Sequence, residues 1–192
     1  MFDTGSYFSL EGQTAIVTGG TTGLGLAITR CMVGAGAKVA VLSYESREQG
    51  REALKEFGGK AVFYQFDITD TDHTQEMADR VIAEQGPVTI LVNNAGNHCK
   101  KYIEDMTVED YVNVLNVHLV GAFALTKALF SHMKEQRKGS ILFQASMTSY
   151  IGQTPGGGIF YFQGRFPGHD PHPDSRTCRV RRDSERHCAR LD

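Results

Sequence analysis

The most constraining feature of this chain is a short apolar run, Thr14–Thr18, that ends in three spaced glycines and continues as a helical pattern. A strand that stops at glycines and restarts as a helix leaves the first N–H groups of the helix unpaired and its positive dipole end exposed. Such a terminus binds anions and suits a pyrophosphate. Gly19 permits a tight turn, Gly23 a close approach of backbone to ligand, and Gly25 close packing of the helix on its strand. The alternative is an ordinary strand-to-helix connection, because three residues separate the first two glycines where the usual spacing has one.

The pattern after the glycines alternates between strand and helix as far as residue 143. Apolar runs predict strands at 14–18, 38–42, 61–66, 88–92 and 140–143. Helical spacing predicts helices at 24–33, at 47–57, from Asp70 or Thr71 to about 85, and from Thr107 to 136. This order predicts an α/β fold with a parallel sheet covered on both faces and a ligand site at the carboxyl ends of the strands. Because the glycine turn lies at that end, the nucleotide interpretation is favoured.

The composition fits one soluble domain. The chain has 192 residues, 41% of them apolar, and a net charge of −2, which argues against nucleic acid as a partner. No segment is predicted to cross a membrane, and residues 1–10 are too polar for a secretory signal, so we expect a cytoplasmic protein without a membrane partner. Cys31 and Cys99 are expected to stay reduced.

Four further motifs follow the glycines in order. They are Asp67-Ile-Thr-Asp70 after the third strand, Asn93-Asn-Ala-Gly96 after the fourth, Asn116 within a helix, and Ser146 past the fifth strand. Together with the glycine turn, this set resembles the classical short-chain dehydrogenase/reductase family over about residues 10–152. The resemblance implies a Rossmann-type doubly wound parallel sheet. It also implies hydride transfer between NAD(P) and a secondary alcohol or ketone.

The resemblance implies a role for each motif. The residues expected to bind the cofactor are Gly19, Thr21, Thr22, Gly23, Leu24, Gly25, Ser43, Asp67, Ile68, Asn94, Ala95 and Gly96. Asp67 is expected to bond the edge of the adenine, and Ser146 the substrate oxygen. Asn116 is expected to hold its helix open around a proton-relay water, since an amide interrupts helical hydrogen bonding. Without the family context, Asp67 would cap its loop, Ser146 would be a turn residue and Asn116 would be a solvent-facing amide.

The choice between NAD and NADP depends on the end of the second strand. An acid there would pair with the ribose hydroxyls of NAD, but Ser43 and Tyr44 occupy that region. Neither Thr22 nor Tyr44 carries the positive charge that would attract the 2′-phosphate of NADP, although Arg47 could supply it. We therefore expect NAD(P), with a slight preference for NADP.

The family's proton-transfer pair is missing. A Tyr thirteen residues after the Ser and a Lys four residues later would fall on Ile159 and Gln163, which transfer no protons. Tyr161 and Arg165 have the right internal spacing but come two residues late, in a glycine-rich stretch without helical periodicity. We therefore expect this chain to have little or no turnover, even if nucleotide binds.

The tail differs from the rest of the chain. From about Gly164 no strand or helix period is visible, and seven of the twelve arginines lie at 165–190. Codons compatible with this tail, read one base later, allow Tyr at 159 and Lys or Arg at 163, whereas the opposite shift excludes Lys at 163. We hypothesise a one-base frame slip shortly before Ile159. It would leave an incomplete dinucleotide-binding domain (1–152), lacking the C-terminal strands of the complete fold, and an aberrant, disordered tail (153–192).

The remaining expectations concern partners and rival functions. The His and Cys residues of the tail lack a tight Cys-x-x-Cys pair, so we predict no metal site. Asn97-His-Cys-Lys-Lys101 and the surroundings of Ser146 loosely resemble sugar- and polyol-type members, and an intact member would form a homotetramer. The alternatives are a non-catalytic nucleotide-binding protein and a misfolded truncated product.

Overall fold

The structure, a computed structural model, describes residues 8–99, 101, 103–146 and 177–180. Its centre is a sheet of five parallel strands: β1 (Thr14–Thr18), β2 (Lys38–Ser43), β3 (Ala61–Gln65), β4 (Val88–Asn93) and β5 (Gly139–Phe143). These strands lie in the order β3-β2-β1-β4-β5. The strand order therefore reverses beside β1, which is where doubly wound sheets bind ligands. The predicted doubly wound parallel sheet is confirmed.

Helices cover both faces of the sheet. They are α1 (Gly23–Gly34), α2 (Arg47–Leu54), α3 (Thr74–Gln85), α4 (Val108–Leu115) and α5 (Ala122–Glu135). Side chains alternate along each strand, so Ile16 packs in a core with Leu125 and Leu129, whereas its neighbour Val17 packs in a second core on the opposite face. Burial on both faces is the reason why the strands are continuously apolar.

Two of the predicted helices have a boundary that differs from the observed one by three residues or more. The helix predicted from Asp70 begins at Thr74, because the Asp70 carboxylate contacts His73 Nδ1 at 2.8 Å and its carbonyl accepts from Thr74 Oγ1 at 3.1 Å, which closes a turn before the helix. The helix predicted at 47–57 ends at Leu54, and a 3₁₀ turn carries the chain on to Phe57.

The long helix predicted from Thr107 is interrupted by a wider turn. Thr107 and Asp110 form a reciprocal capping box at its start. Between α4 and α5 the backbone forms a π-helical turn, Asn116–Gly121. Turns of this kind inside α-helices are frequent at functional sites.

The whole helical stretch Val108–Glu135 is long and apolar enough to cross a membrane by length and composition, contrary to the expectation from the sequence. Its most apolar window has a mean hydropathy of 1.5, and 28% of that window is buried inside the fold. Leu125, Leu129 and Met133 on its inner face are fully buried against the sheet.

The tail contributes a strand that the sequence pattern does not predict. β6 (Thr177–Val180) pairs antiparallel with β5, from Leu142 opposite Thr177 to Gly139 opposite Val180. Pairing of this kind uses the unpaired backbone groups at a sheet edge, and side-chain periodicity is not required for it. Ile159, Tyr161, Gln163 and Arg165 lie outside the described residues, as do the histidines of the tail and Cys188.

Candidate functional site

A cavity of about 850 Å³ opens at the carboxyl ends of β1 to β4. Its walls include eleven of the twelve residues that the sequence predicts for cofactor binding. These are Gly19, Thr22, Gly23, Leu24, Gly25, Ser43, Asp67, Ile68, Asn94, Ala95 and Gly96. The parallel sheet brings these residues together because the carboxyl ends of its strands meet at one edge.

The glycine turn forms one wall of the cavity, and its glycines are required by geometry. Gly19 and Gly23 have φ angles of +63° and +53°, a region that favours glycine. A Cβ on Gly25 would collide with the Gly19 carbonyl and lie 2.6 Å from the Asn94 side chain. A Cβ on Gly23 would meet no atom within 4 Å. The backbone at Gly23 is therefore open to a ligand, and α1 packs closely against the turn at Gly25.

The start of α1 faces this cavity without any internal compensation for its dipole. Thr22 precedes the helix and makes no side-chain capping bond, and no acidic residue lies in the first turn. Gly23, Leu24 and Gly25 all line the cavity. Unpaired N–H groups and the positive end of the dipole therefore remain available to a negatively charged ligand.

The loop after β4 forms the part of the cavity wall next to the glycine turn and is tied to β1 through Thr18. The Thr18 hydroxyl oxygen accepts hydrogen bonds from the backbone N–H groups of Asn94 and Ala95, both at 2.9 Å. The Asn94 side-chain amide donates back to the carbonyls of Thr18 at 2.9 Å and Gly19 at 3.2 Å. Asn94 is thereby held between the glycine turn and its own loop.

Thr21 and Glu45 form a contact that sequence reasoning missed. Thr21 is buried and does not belong to the described lining of the cavity; its hydroxyl donates to Glu45 Oε1 at 2.8 Å. Glu45 itself lines the cavity, and its Oε2 is buried without a hydrogen-bond partner among the described residues. An acid therefore does lie at the end of β2. The available signal was its position two residues after Ser43, the last residue of the strand.

Asp67 caps its loop, as one of its two predicted roles requires, and it also lines the cavity. Its Oδ1 accepts from the backbone N–H of Thr69 at 2.9 Å and from the Thr69 hydroxyl at 2.7 Å, which caps the loop after β3. The residue also lines the cavity, beside Phe66 and Ile68. Arg47, the predicted source of positive charge, is exposed on α2 and is absent from the described cavity wall.

Comparison with known proteins agrees with this geometry. Residues 13–159 match the family model described as short chain dehydrogenase. The chain belongs to the short-chain dehydrogenase family. It is 34% identical over 149 residues to 2-dehydro-3-deoxy-D-gluconate 5-dehydrogenase of Formosa agariphila, covering 76% of this chain and 56% of that protein. It is 40% identical over 146 residues to the NADP-dependent (R)-specific alcohol dehydrogenase of Lentilactobacillus kefiri, covering 74% of this chain and 58% of the relative.

A solved structure supports the same assignment. The short-chain type dehydrogenase/reductase from Mycobacterium marinum superposes with a TM-score of 0.74 at 30% identity, covering 81% of this chain and 64% of the other. The chain spans less than three fifths of the length of the two curated relatives.

The two predicted catalytic residues of this short-chain dehydrogenase family member lie near a second, smaller cavity. Asn116 is the first residue of the π-helical turn, and Ser146 lies three residues after the end of β5. Neither belongs to the described residues that line the two cavities, but their neighbours Val117 and Ala145 line the smaller one, of about 80 Å³. The positions of the family's Tyr and Lys, 159 and 163, lie outside the described residues.

Two polar side chains that line the smaller cavity, those of Asn93 and His118, have no role assigned to them from the sequence. Asn93 donates through Nδ2 to Thr126 Oγ1 at 3.2 Å, while its Oδ1 is buried with no partner among the described residues. His118, in the π-helical turn, lines the same cavity. Only the fold could reveal both, because their partners are 33 and 21 residues away along the chain.

Proposed function

We propose that this chain binds NAD(P) in the 850 Å³ cavity and that its family reaction is hydride transfer between NAD(P) and a secondary alcohol or ketone. The observation that carries the proposal is the uncapped start of α1, which faces the cavity between the positive-φ glycines and the Asn94–Gly96 loop. These features suit a pyrophosphate, which needs N–H donors and close backbone approach. When bound, the nicotinamide would supply or accept the hydride.

We propose a separate role for each group of residues around the two cavities, in binding the cofactor or in orienting the substrate. The Gly19–Gly25 turn would hold the pyrophosphate, and Asp67 would bond the edge of the adenine. Ser146 would orient the substrate oxygen by a hydrogen bond, and Asn116 would hold a proton-relay water in the π-helical turn. A sugar or polyol substrate is supported by the Formosa agariphila relative, whose name describes a dehydrogenase of a keto sugar acid.

The proton-transfer positions favour a second candidate, nucleotide binding without turnover. Ile159 and Gln163 carry no group that exchanges a proton with a substrate oxygen, whereas the described cavity wall is built entirely from residues 19–117. We propose that this 192-residue chain retains nucleotide affinity and has little activity. A frame slip before Ile159 would explain why the cavity residues fit the family while positions 159 and 163 do not. Sequencing the gene across codons 150–165 tests it.

Fluorescence titration with NADH and NADPH, together with a turnover assay, separates the candidates. Binding without cofactor-dependent ketone reduction supports the non-catalytic chain, and measurable reduction refutes it. A melt followed by circular dichroism identifies a misfolded product. A folded chain that binds neither nucleotide would refute the proposal as a whole.

Glu45 bears on the choice between NAD and NADP. The slight preference for NADP rests on the absence of an acid, but the Glu45 carboxylate lies in the cavity wall at the end of β2. A carboxylate accepts hydrogen bonds from ribose hydroxyls and repels a 2′-phosphate. We therefore propose that this chain prefers NAD, although the Lentilactobacillus kefiri relative is named NADP-dependent.

The Glu45→Gln variant tests this preference. We expect the wild type to bind NADH about tenfold more tightly than NADPH, corresponding to about 1.4 kcal/mol of repulsion, and the variant to lose most of that difference. Glu48→Gln is the matched control, because Glu48 lies on the first turn of α2 and is absent from the described cavity wall. Equal binding of NADH and NADPH by the wild type would contradict the proposal.

The outer face of the α4–α5 stretch supports self-association. Val120, Phe123 and Phe130 share this face at helical spacing and are 46%, 66% and 43% exposed. Exposed apolar side chains grouped in this way mark interaction surfaces. Sedimentation of the wild type against Phe123→Ser tests whether this face joins copies of the chain.

A further inference from the structure

His118 makes a contact that the proposed function has not used. Its side chain projects from the π-helical turn, and its Nε2 lies 3.2 Å from the backbone nitrogen and 3.0 Å from the backbone oxygen of Asn97. One ring nitrogen therefore faces both polar groups of one residue. A neutral imidazole meets the N–H as an acceptor in one tautomer and the carbonyl as a donor in the other.

The imidazole also packs directly on the preceding glycine. A Cβ on Gly96 would lie 2.6 Å from His118 Cε1 and 3.3 Å from Nδ1. Since real Cβ atoms do not approach that closely, the ring occupies the space that any side chain at position 96 would need. Gly96 and His118 are therefore a complementary pair, and the ring covers the backbone of the Gly96–Asn97 segment.

This segment forms part of the wall of the large cavity. Ala95, Gly96 and Asn97 all line it, and Asn97 Oδ1 is buried with no partner among the described residues. The start of the same loop is held by Thr18 through the N–H groups of Asn94 and Ala95. His118 holds its far end, so the loop is attached at both ends before any ligand arrives.

We propose that His118 is a positioning residue: through its Asn97 contact it holds the loop after β4 in the conformation that binds the nucleotide. This inference rests on the proposed function, because it concerns affinity for that ligand. Preorganisation of a loop raises affinity by removing the cost of ordering it on binding. The π-helical turn that begins at Asn116 is thereby connected to the nucleotide cavity.

The test compares two substitutions of His118. His118→Phe keeps a planar ring against Gly96 but leaves Asn97 without its hydrogen bond, whereas His118→Gln keeps a donor and an acceptor at similar reach. In fluorescence titrations of the full chain we expect His118→Phe to bind NADH about fivefold to tenfold more weakly than the wild type, the loss typical of one hydrogen bond. We expect His118→Gln to bind within about twofold of the wild type. Amide hydrogen exchange at residues 94–99 should be faster in His118→Phe only.

His132 provides a matched control on the same helical stretch. Its Nε2 accepts from the backbone N–H of Val88 at 3.2 Å, at the start of β4 and away from the cavity. His132→Phe removes a comparable bond and should leave NADH affinity unchanged.

The outcomes separate the two proposals. Three results would overturn the inference and leave the proposed function intact. His118→Phe could bind NADH as tightly as the wild type, His118→Phe and His118→Gln could lose the same NADH affinity, or His132→Phe could lose as much NADH affinity as His118→Phe. A folded wild-type chain that binds neither NADH nor NADPH would refute the proposed function and the inference with it.

Discussion

Replacing Thr18 with valine tests how the glycine turn and the loop after β4, two parts of the wall of the large cavity, are joined. Thr18 is 2% exposed, and its hydroxyl oxygen accepts the N–H groups of both Asn94 and Ala95 at 2.9 Å. Valine has nearly the same shape but no oxygen. The substitution therefore removes the partner of two backbone donors without opening a cavity.

The magnitude follows from those two donors. A buried donor that loses its partner costs about 1–3 kcal/mol. Because the loop borders a cavity that water can enter, we expect the lower part of the combined range, about 2–4 kcal/mol. In a chain of this size 1 kcal/mol lowers Tm by about 2–4 °C, so Thr18→Val should melt about 4–16 °C below the wild type.

Denaturant unfolding followed by circular dichroism measures this loss, and two variants control it. Thr18→Ser keeps the oxygen and should lose no more than about 1 kcal/mol for the missing methyl group. Thr14→Val alters the other end of β1, where the hydroxyl only donates to the Gln85 carbonyl at 3.4 Å, and should cost less than about 1 kcal/mol. The reasoning fails if Thr18→Val is no less stable than Thr14→Val, or if Thr18→Ser is equally destabilised.

Two further predictions concern pH and packing. The hydrogen bond from Lys101 lowers the pKa of Asp110 from 3.8 to about 2. The Asp110 carboxylate therefore stabilises the fold above pH 3.8, and this contribution is lost as the pH falls towards 2. Asp110→Asn should reduce the change of Tm with pH between these two values. Gly50→Ala should destabilise the fold by about 1–3 kcal/mol despite the better helix propensity of alanine, because the Phe63 ring occupies the space of the new methyl group. Gly34→Ala should be neutral or stabilising, because a Cβ at this position would meet no atom within 4 Å. Urea unfolding of both variants measures the difference, and the packing argument is wrong if both lose the same stability.

The sheet and its glycine turn were predictable because their signals are local. Continuous apolar runs such as Val39–Leu42 indicate strands buried on both faces, and the glycines mark where backbone must turn or approach a neighbour. Chain order and parallel pairing then place all strand ends at one edge. Eleven predicted cofactor residues consequently line one cavity.

Glu45 shows where the local argument failed. Its distance from the end of β2 in the sequence does not reveal which way its side chain turns, and that direction is set by its hydrogen bond with Thr21, 24 residues earlier. The strand β6 was unpredictable for a related reason. Its pairing depends on the free edge of β5, and no residue pattern within Thr177–Val180 records that edge.

The sequence by itself therefore determined the order of strands and helices, the glycine turn and the positions of Asn116 and Ser146, because a pattern of residues adjacent in the chain indicates each of them. Only the tertiary structure decided that Thr18 is hydrogen-bonded to Asn94, that Glu45 lines the cavity and that His118 is hydrogen-bonded to Asn97. Thr18 and Asn94 are 76 residues apart, and His118 and Asn97 are 21 apart. Contacts at such separations exist only once the sheet order has brought the elements together, so no local periodicity encodes them.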